Sequence, residues 1–144
     1  MMNETECARC AAAARLLEAA GVVALWGLAM SVTALFLLAN GHLRPNFSIL
    51  GYGIAALLGL PERYFAFRIR FDAGLFQDLA RGTISSLPDL DQALNEAGLR
   101  PSAGPLRSLD ERLLGARKLL KRHSALAACQ SLALTAALLN QWCR

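Results

Sequence analysis

The chain has 144 residues, of which 55% are hydrophobic and 18% charged, with a formal net charge of +4. One domain fits this length, but ordinary soluble domains are less apolar and nearer a quarter charged. The mean hydropathy of +0.36 and the gathering of the charges into a few stretches exclude a typical water-soluble composition.

Residues 3–18 predict a helix: residues 11–14 are all alanine, and Leu16, Leu17 and Glu18 favour helix. Cys7-Ala-Arg-Cys10 lies on it. Two thiols at this spacing are half of a zinc site or a redox pair. No second pair and no nearby histidine completes four ligands, so unpaired thiols are the expectation, with no cofactor and no metal.

Residues 19–40 contain no ionisable side chain and match the roughly 20 residues that a helix needs to cross about 30 Å of hydrocarbon. The apolar core is too long for a cleaved leader, and a cut after Ala39 would put Leu37 where a small residue is wanted. An uncleaved first transmembrane helix is expected. Residues 41–46, with Gly41 and Pro45, predict a short external turn.

Residues 47–82 predict a short second transmembrane helix that continues as an amphipathic one. The charge-free part, 47–61, is short for a full crossing, and Pro61-Glu62-Arg63 suits a helix start or a kink. From Tyr64 onward two periods compete, and helix prevails because a lone strand beside a bilayer has no partner for its backbone groups. On a wheel Phe67, Phe71 and Leu75 sit on a broad aromatic face, with Arg68 and Asp72 near its middle. Charges there are costly against lipid alone. These five residues are therefore the candidate partner-docking set, the plainer alternative being that Arg68 snorkels to headgroups.

Residues 83–107 predict a small cytoplasmic cap and linker. Ser86-Leu87-Pro88-Asp89 is a capped helix start and Gly98 a stop, followed by Pro101, Gly104 and Pro105. Residues 108–123 predict a basic amphipathic helix opened by a capping box, Ser108-Leu109-Asp110-Glu111. It leads into a third span at 124–142, which is charge-free but richer in alanine and polar groups. Arg117, Lys118, Lys121 and Arg122 adjoin that span and are the candidate headgroup contacts.

The basic residues set the expected orientation. Arg9 and Arg15 precede the first run, Arg44 lies between the first and second, and eleven Lys and Arg lie between the second and third. Such residues concentrate on the cytoplasmic side. The amino terminus and the long connector are expected in the cytoplasm and the carboxyl terminus outside, in a bacterial inner (plasma) membrane. The positive charge is thus accounted for by topology, and no nucleic-acid partner is expected.

The expected fold is all-α: an integral membrane helical bundle of about three transmembrane helices, extended into the cytoplasm by amphipathic helices. His42 and His123 fall on opposite sides of this arrangement, and no span holds Asp, Glu, Lys or Arg, so neither acid–base chemistry nor an ion path built on buried charge is expected. Phosphate-binding loops, nucleophile elbows and dinucleotide fingerprints are missing from the sequence. The leading expectation is a non-enzymatic accessory subunit or scaffold that docks a larger membrane or cytoplasmic partner, or a second copy of itself, within the lipid bilayer. An oligomeric pore-forming or transport component is the second reading, and a membrane-anchored regulator using Cys7 and Cys10 the third.

Overall fold

The computed structural model describes residues 3–40, 46–99 and 107–142. The expected external turn at 41–46, apart from the backbone of Asn46, lies outside the described residues, as do His42, Arg44, most of the expected linker and Cys143. The described residues are 90% helical and contain no strand. Five helical segments follow in order: α1 Glu4–Ala19, α2 Gly21–Ala39, α3 Asn46–Arg81, α4 Leu87–Glu96 and α5 Leu109–Trp142.

Local signals account for the ends. Before α1, the Asn3 side chain accepts from the Glu6 amide while Glu6 accepts from the Asn3 amide, a reciprocal cap. α1 passes into α2 through Ala20, whose backbone stays in the right-handed helical region. Ser86 caps α4 by accepting from the Asp89 amide, with proline in the first turn. The Ser108–Glu111 box is formed in both directions. Gly82 and Gly98 close α3 and α4 with φ of 74° and 69°, the left-handed conformation that glycine adopts without steric cost. α3 runs unbroken through Pro61, so that proline sits inside a helix rather than at its start.

By length and composition, one stretch among the described residues can cross a membrane: Glu4–Ala39, spanning α1 and α2. Only 11% of its most apolar window is buried, unlike the core helix of a soluble protein. At 36 and 34 residues, α3 and α5 reach beyond the roughly 30 Å of hydrocarbon at 1.5 Å per residue. Polar groups interrupt their apolar runs: Glu62 and Arg63 in α3, and Gln130, Ser131, Thr135, Asn140 and Gln141 in α5.

The chain divides into two units. The first comprises residues 1–18 and 69–118. Its buried side chains are mostly apolar, among them Leu17, Ile69, Phe76, Leu79, Leu90 and Leu109, while Arg107, Asp110, Glu111, Arg117 and Lys118 are exposed. That is the ordering expected of a water-facing fold.

The second unit comprises residues 19–68 and 119–144, and it buries polar side chains beside a small apolar cluster of Ala34, Tyr52, Ala55, Leu134 and Ala137. Along α3 the buried residues are Ser48, Tyr52, Ala55, Gly59 and Glu62; along α5 they are His123, Ala127, Gln130, Leu134 and Ala137. Both sets step by four, three, four and three, the spacing of a narrow seam between helices packed at a shallow angle. α2 adds Gly27 and Ala34, seven apart. Leu134 is the one leucine in these seams. Many large aliphatic and aromatic side chains face outward: Val22, Leu25, Phe36, Leu57, Leu60 and Leu132 are all more than half exposed.

Candidate functional site

The seam of the second unit places a carboxylate in the interior of the bundle. Glu62 and His123 are each 0% exposed. The Glu62 carboxyl splits its contacts. Its Oε2 accepts from Arg63, at 2.7 Å from Nε and 2.5 Å from the terminal nitrogen, and the same guanidinium donates to the backbone carbonyl of Ala24 on α2. Its Oε1 faces Nδ1 of His123 on α5 at 3.5 Å, too long and imperfect for a hydrogen bond. Glu62 Oε1 and both imidazole nitrogens have no hydrogen-bond partner among the described residues.

Close helix approach makes this arrangement possible. A Cβ on Gly27 would stand 2.5 Å from the Glu62 carboxyl carbon, so any larger residue there would force the carboxyl to move. Gly59 lies under the Ser31 hydroxyl in the same way. Gln130, also 0% exposed, donates from Nε2 to the Gly27 carbonyl at 3.2 Å and to Ser31 Oγ at 2.8 Å. Ser31 in turn donates to the Gly27 carbonyl at 3.0 Å. Small residues at crossings, with serine and glutamine bonding across them, are the usual means of holding helices together in lipid.

Elsewhere in the same unit a second polar group joins α3 to α5. Ser48 Oγ donates to the Ala137 carbonyl and accepts from Asn140 Nδ2, both at 3.1 Å. Tyr52 donates to Gln141 Oε1 at 2.7 Å. Every atom of this group named here has a partner, in contrast with the Glu62–His123 pair.

The residues singled out in the sequence fall as follows. Phe67 and Arg68 are exposed, whereas Phe71, Asp72 and Leu75 are half-buried, because the buried stripe of this stretch runs along Ile69, Ala73, Phe76 and Leu79. Arg117, Lys118, Lys121 and Arg122 are exposed on α5. Cys10 is buried, Cys7 partly so and Cys129 exposed; all three are free thiols. Burial, with smaller contributions from neighbouring Cys7 and Glu6, raises the Cys10 thiol above its ordinary pKa. Among the described residues no three His, Cys, Asp or Glu side chains gather as metal ligands would.

Sequence reading missed the Glu62–His123 pair. It placed Glu62 and Arg63 beyond the end of an apolar run and His123 before the start of another, and so treated every span as free of charge. In the structure the carboxyl of Glu62 lies against Gly27, which belongs to the 19–40 run. The signal was present in the spacing. Ser48, Tyr52, Ala55, Gly59 and Glu62 are small or polar residues at 4-3-4-3 intervals within a stretch otherwise rich in Leu, Ile and Phe, and His123 opens the matching series on α5.

In comparisons with known proteins, no family model, no curated protein and no solved structure matches this chain.

Proposed function

We propose that the chain is a three-span protein of a bacterial-type inner membrane, with its amino terminus in the cytoplasm, serving as a non-enzymatic accessory subunit that docks another protein. The reading rests on one observation: the second unit keeps Glu62, His123, Gln130 and Ser48 inside and turns Leu25, Phe36, Leu57, Leu60 and Leu132 outward. Water rejects such a surface. At about 25 cal/mol per Å² of exposed apolar area, a belt of this kind is stable only against lipid or protein. In lipid, polar side chains belong where they bond one another between helices.

Orientation follows from the basic residues, which crowd residues 62–123. Docking is assigned to the exposed part of α3 at Phe67 and Arg68, one turn before Asp72 in the same helix. A helix of a membrane protein, or a second copy of this chain, fits an aromatic surface with charge beside it.

Compartment reporters fused at residue 1, within 41–46, within 83–107 and after residue 144 test the topology. The expected pattern is inside, outside, inside, outside; both termini in one compartment overturns it. A photo-crosslinking side chain at position 67 tests docking. It should give a discrete protein adduct that Asp72→Ala weakens, and lipid adducts alone count against the subunit reading.

A transport component is the second reading, favoured by the polar residues in the seams of a single copy. Ion leakage from vesicles holding the purified protein would select it over the subunit.

A further inference from the structure

We propose that Glu62 and His123 form a proton-binding site in the interior of the helix bundle, loaded by a single proton that joins the two side chains. The proposal relies on the membrane reading only for the depth of the site. Its geometry stands on the bundle itself.

Glu62 Oε1 faces Nδ1 of His123 at 3.5 Å, and neither this oxygen nor either imidazole nitrogen has a hydrogen-bond partner among the described residues. A neutral imidazole offers one N–H and one lone pair. One added proton makes both nitrogens donors and sets a cation against the carboxylate. Both side chains are wholly enclosed, so bulk water does not complete the set, and an unmade bond to such groups is costly.

The charged surroundings are few. α2 carries no ionisable side chain between residues 19 and 40 and presents only backbone, at Ala20, Ala24 and Gly27. α3 contributes Glu62 and Arg63, and the guanidinium donates to Glu62 Oε2 and to the Ala24 carbonyl. That leaves Oε1 as the one free carboxylate oxygen. α5 contributes His123, while neighbouring Lys121 and Arg122 are exposed. A metal ion in place of the proton would want three or more ligands, and among the described residues no third His, Cys, Asp or Glu joins these two. A proton needs no more than two. Its uptake shortens the 3.5 Å gap to a charge-assisted hydrogen bond and ties α5 to α3 at that level. The loaded and empty states thereby differ in how firmly these two helices are joined.

The test is a pH titration of the full-length protein in phosphatidylglycerol–phosphatidylcholine nanodiscs. Imidazole nitrogens are isotope-labelled, and His42→Gln removes the other histidine. His123 should pass from neutral to protonated in one reversible step. Glu62→Gln should lower its midpoint by about one to three pH units, the usual effect of removing an opposite charge at this distance. Glu62→Asp, which keeps the charge on a shorter arm, should restore part of the shift. A His123 that holds one state across the folded range overturns the proposal, as does a midpoint indifferent to Glu62→Gln. Should that variant not fold, wild-type carboxyl and imidazole signals that titrate independently, with no shared step, overturn it equally. If the chain instead proves soluble without lipid, the membrane reading fails, yet the same titration still decides this site.

Discussion

Gly27 on α2 lies directly against the Glu62 carboxyl on α3, with room between them for a hydrogen and not for a methyl: a Cβ would sit 2.5 Å from the carboxyl carbon. Because Glu62 is also held by Arg63, it cannot swing away without breaking that contact. Gly27→Ala should destabilise the folded protein by about 1–3 kcal/mol, the usual cost of overpacking. Gly53→Ala is the control, because a Cβ there meets nothing within 4 Å; it should be neutral or gain up to about 1 kcal/mol from helix propensity. Unfolding in detergent with rising dodecyl sulfate measures both. Equal stabilities for the two variants would refute the contact.

The second polar group predicts coupling between α3 and α5. Ser48 bonds to both the Ala137 carbonyl and Asn140, so Ser48→Ala should cost about 1 kcal/mol, in the range of hydrogen bonds between membrane helices. In a double-mutant cycle with Asn140→Ala, the double variant should lose less than the sum of the two single losses. Strict additivity would mean that the Ser48–Asn140 bond contributes nothing.

In the first unit, Arg112 pairs with Asp91, joining α5 to α4, and the two side chains are only 13% and 8% exposed. Arg112→Met takes this cation from an enclosed carboxylate and should be destabilising, by up to about 3–5 kcal/mol. Replacing Asp91 by leucine in the same molecule should recover part of that loss. Arg15→Ala removes an exposed pair with Glu18 and should change stability by less than about 1 kcal/mol. Chemical denaturation of the three variants orders them.

Cys10 should react slowly with thiol reagents. It is 0% exposed, and burial favours its neutral thiol, so less of the nucleophilic thiolate exists at neutral pH. In the folded protein the onset of its alkylation should move to higher pH than in denaturant. Mass spectrometry of peptides alkylated across a pH series reads this directly; identical onsets in the two conditions would place Cys10 in water.

Much of the helical framework was legible along the chain. The capping box at Ser108 and Glu111, the stop at Gly98 and the charge-free run at 19–40 are local features, each decided by residues within one or two turns. Residues 47–82 read as one continuing helix with Pro61 as a start or a kink, and α3 runs through it for 36 residues. A helix passes through proline when tertiary contacts hold both sides, and here Glu62 and Gly59 are both in the buried seam. Phe67, Phe71 and Leu75 mark the apolar face by hydrophobicity, yet the side actually buried is shifted toward Ile69, Ala73 and Phe76. A wheel weighs the size of side chains, whereas packing selects those that let helices approach.

Sequence by itself determined that this chain is helical, where several helices begin and end, and which stretches lack charge, since these follow from propensity, capping and composition read over short distances. Only the tertiary structure decided that Glu62 meets His123 and that Gly27 makes room for the carboxyl. Those partners lie on different helices, and their meeting depends on the register in which three seams interlock. Periodicity gives each helix a face, but the facing residue is chosen by fit: a missing side chain on one helix, a charged one on the next and an imidazole on the third.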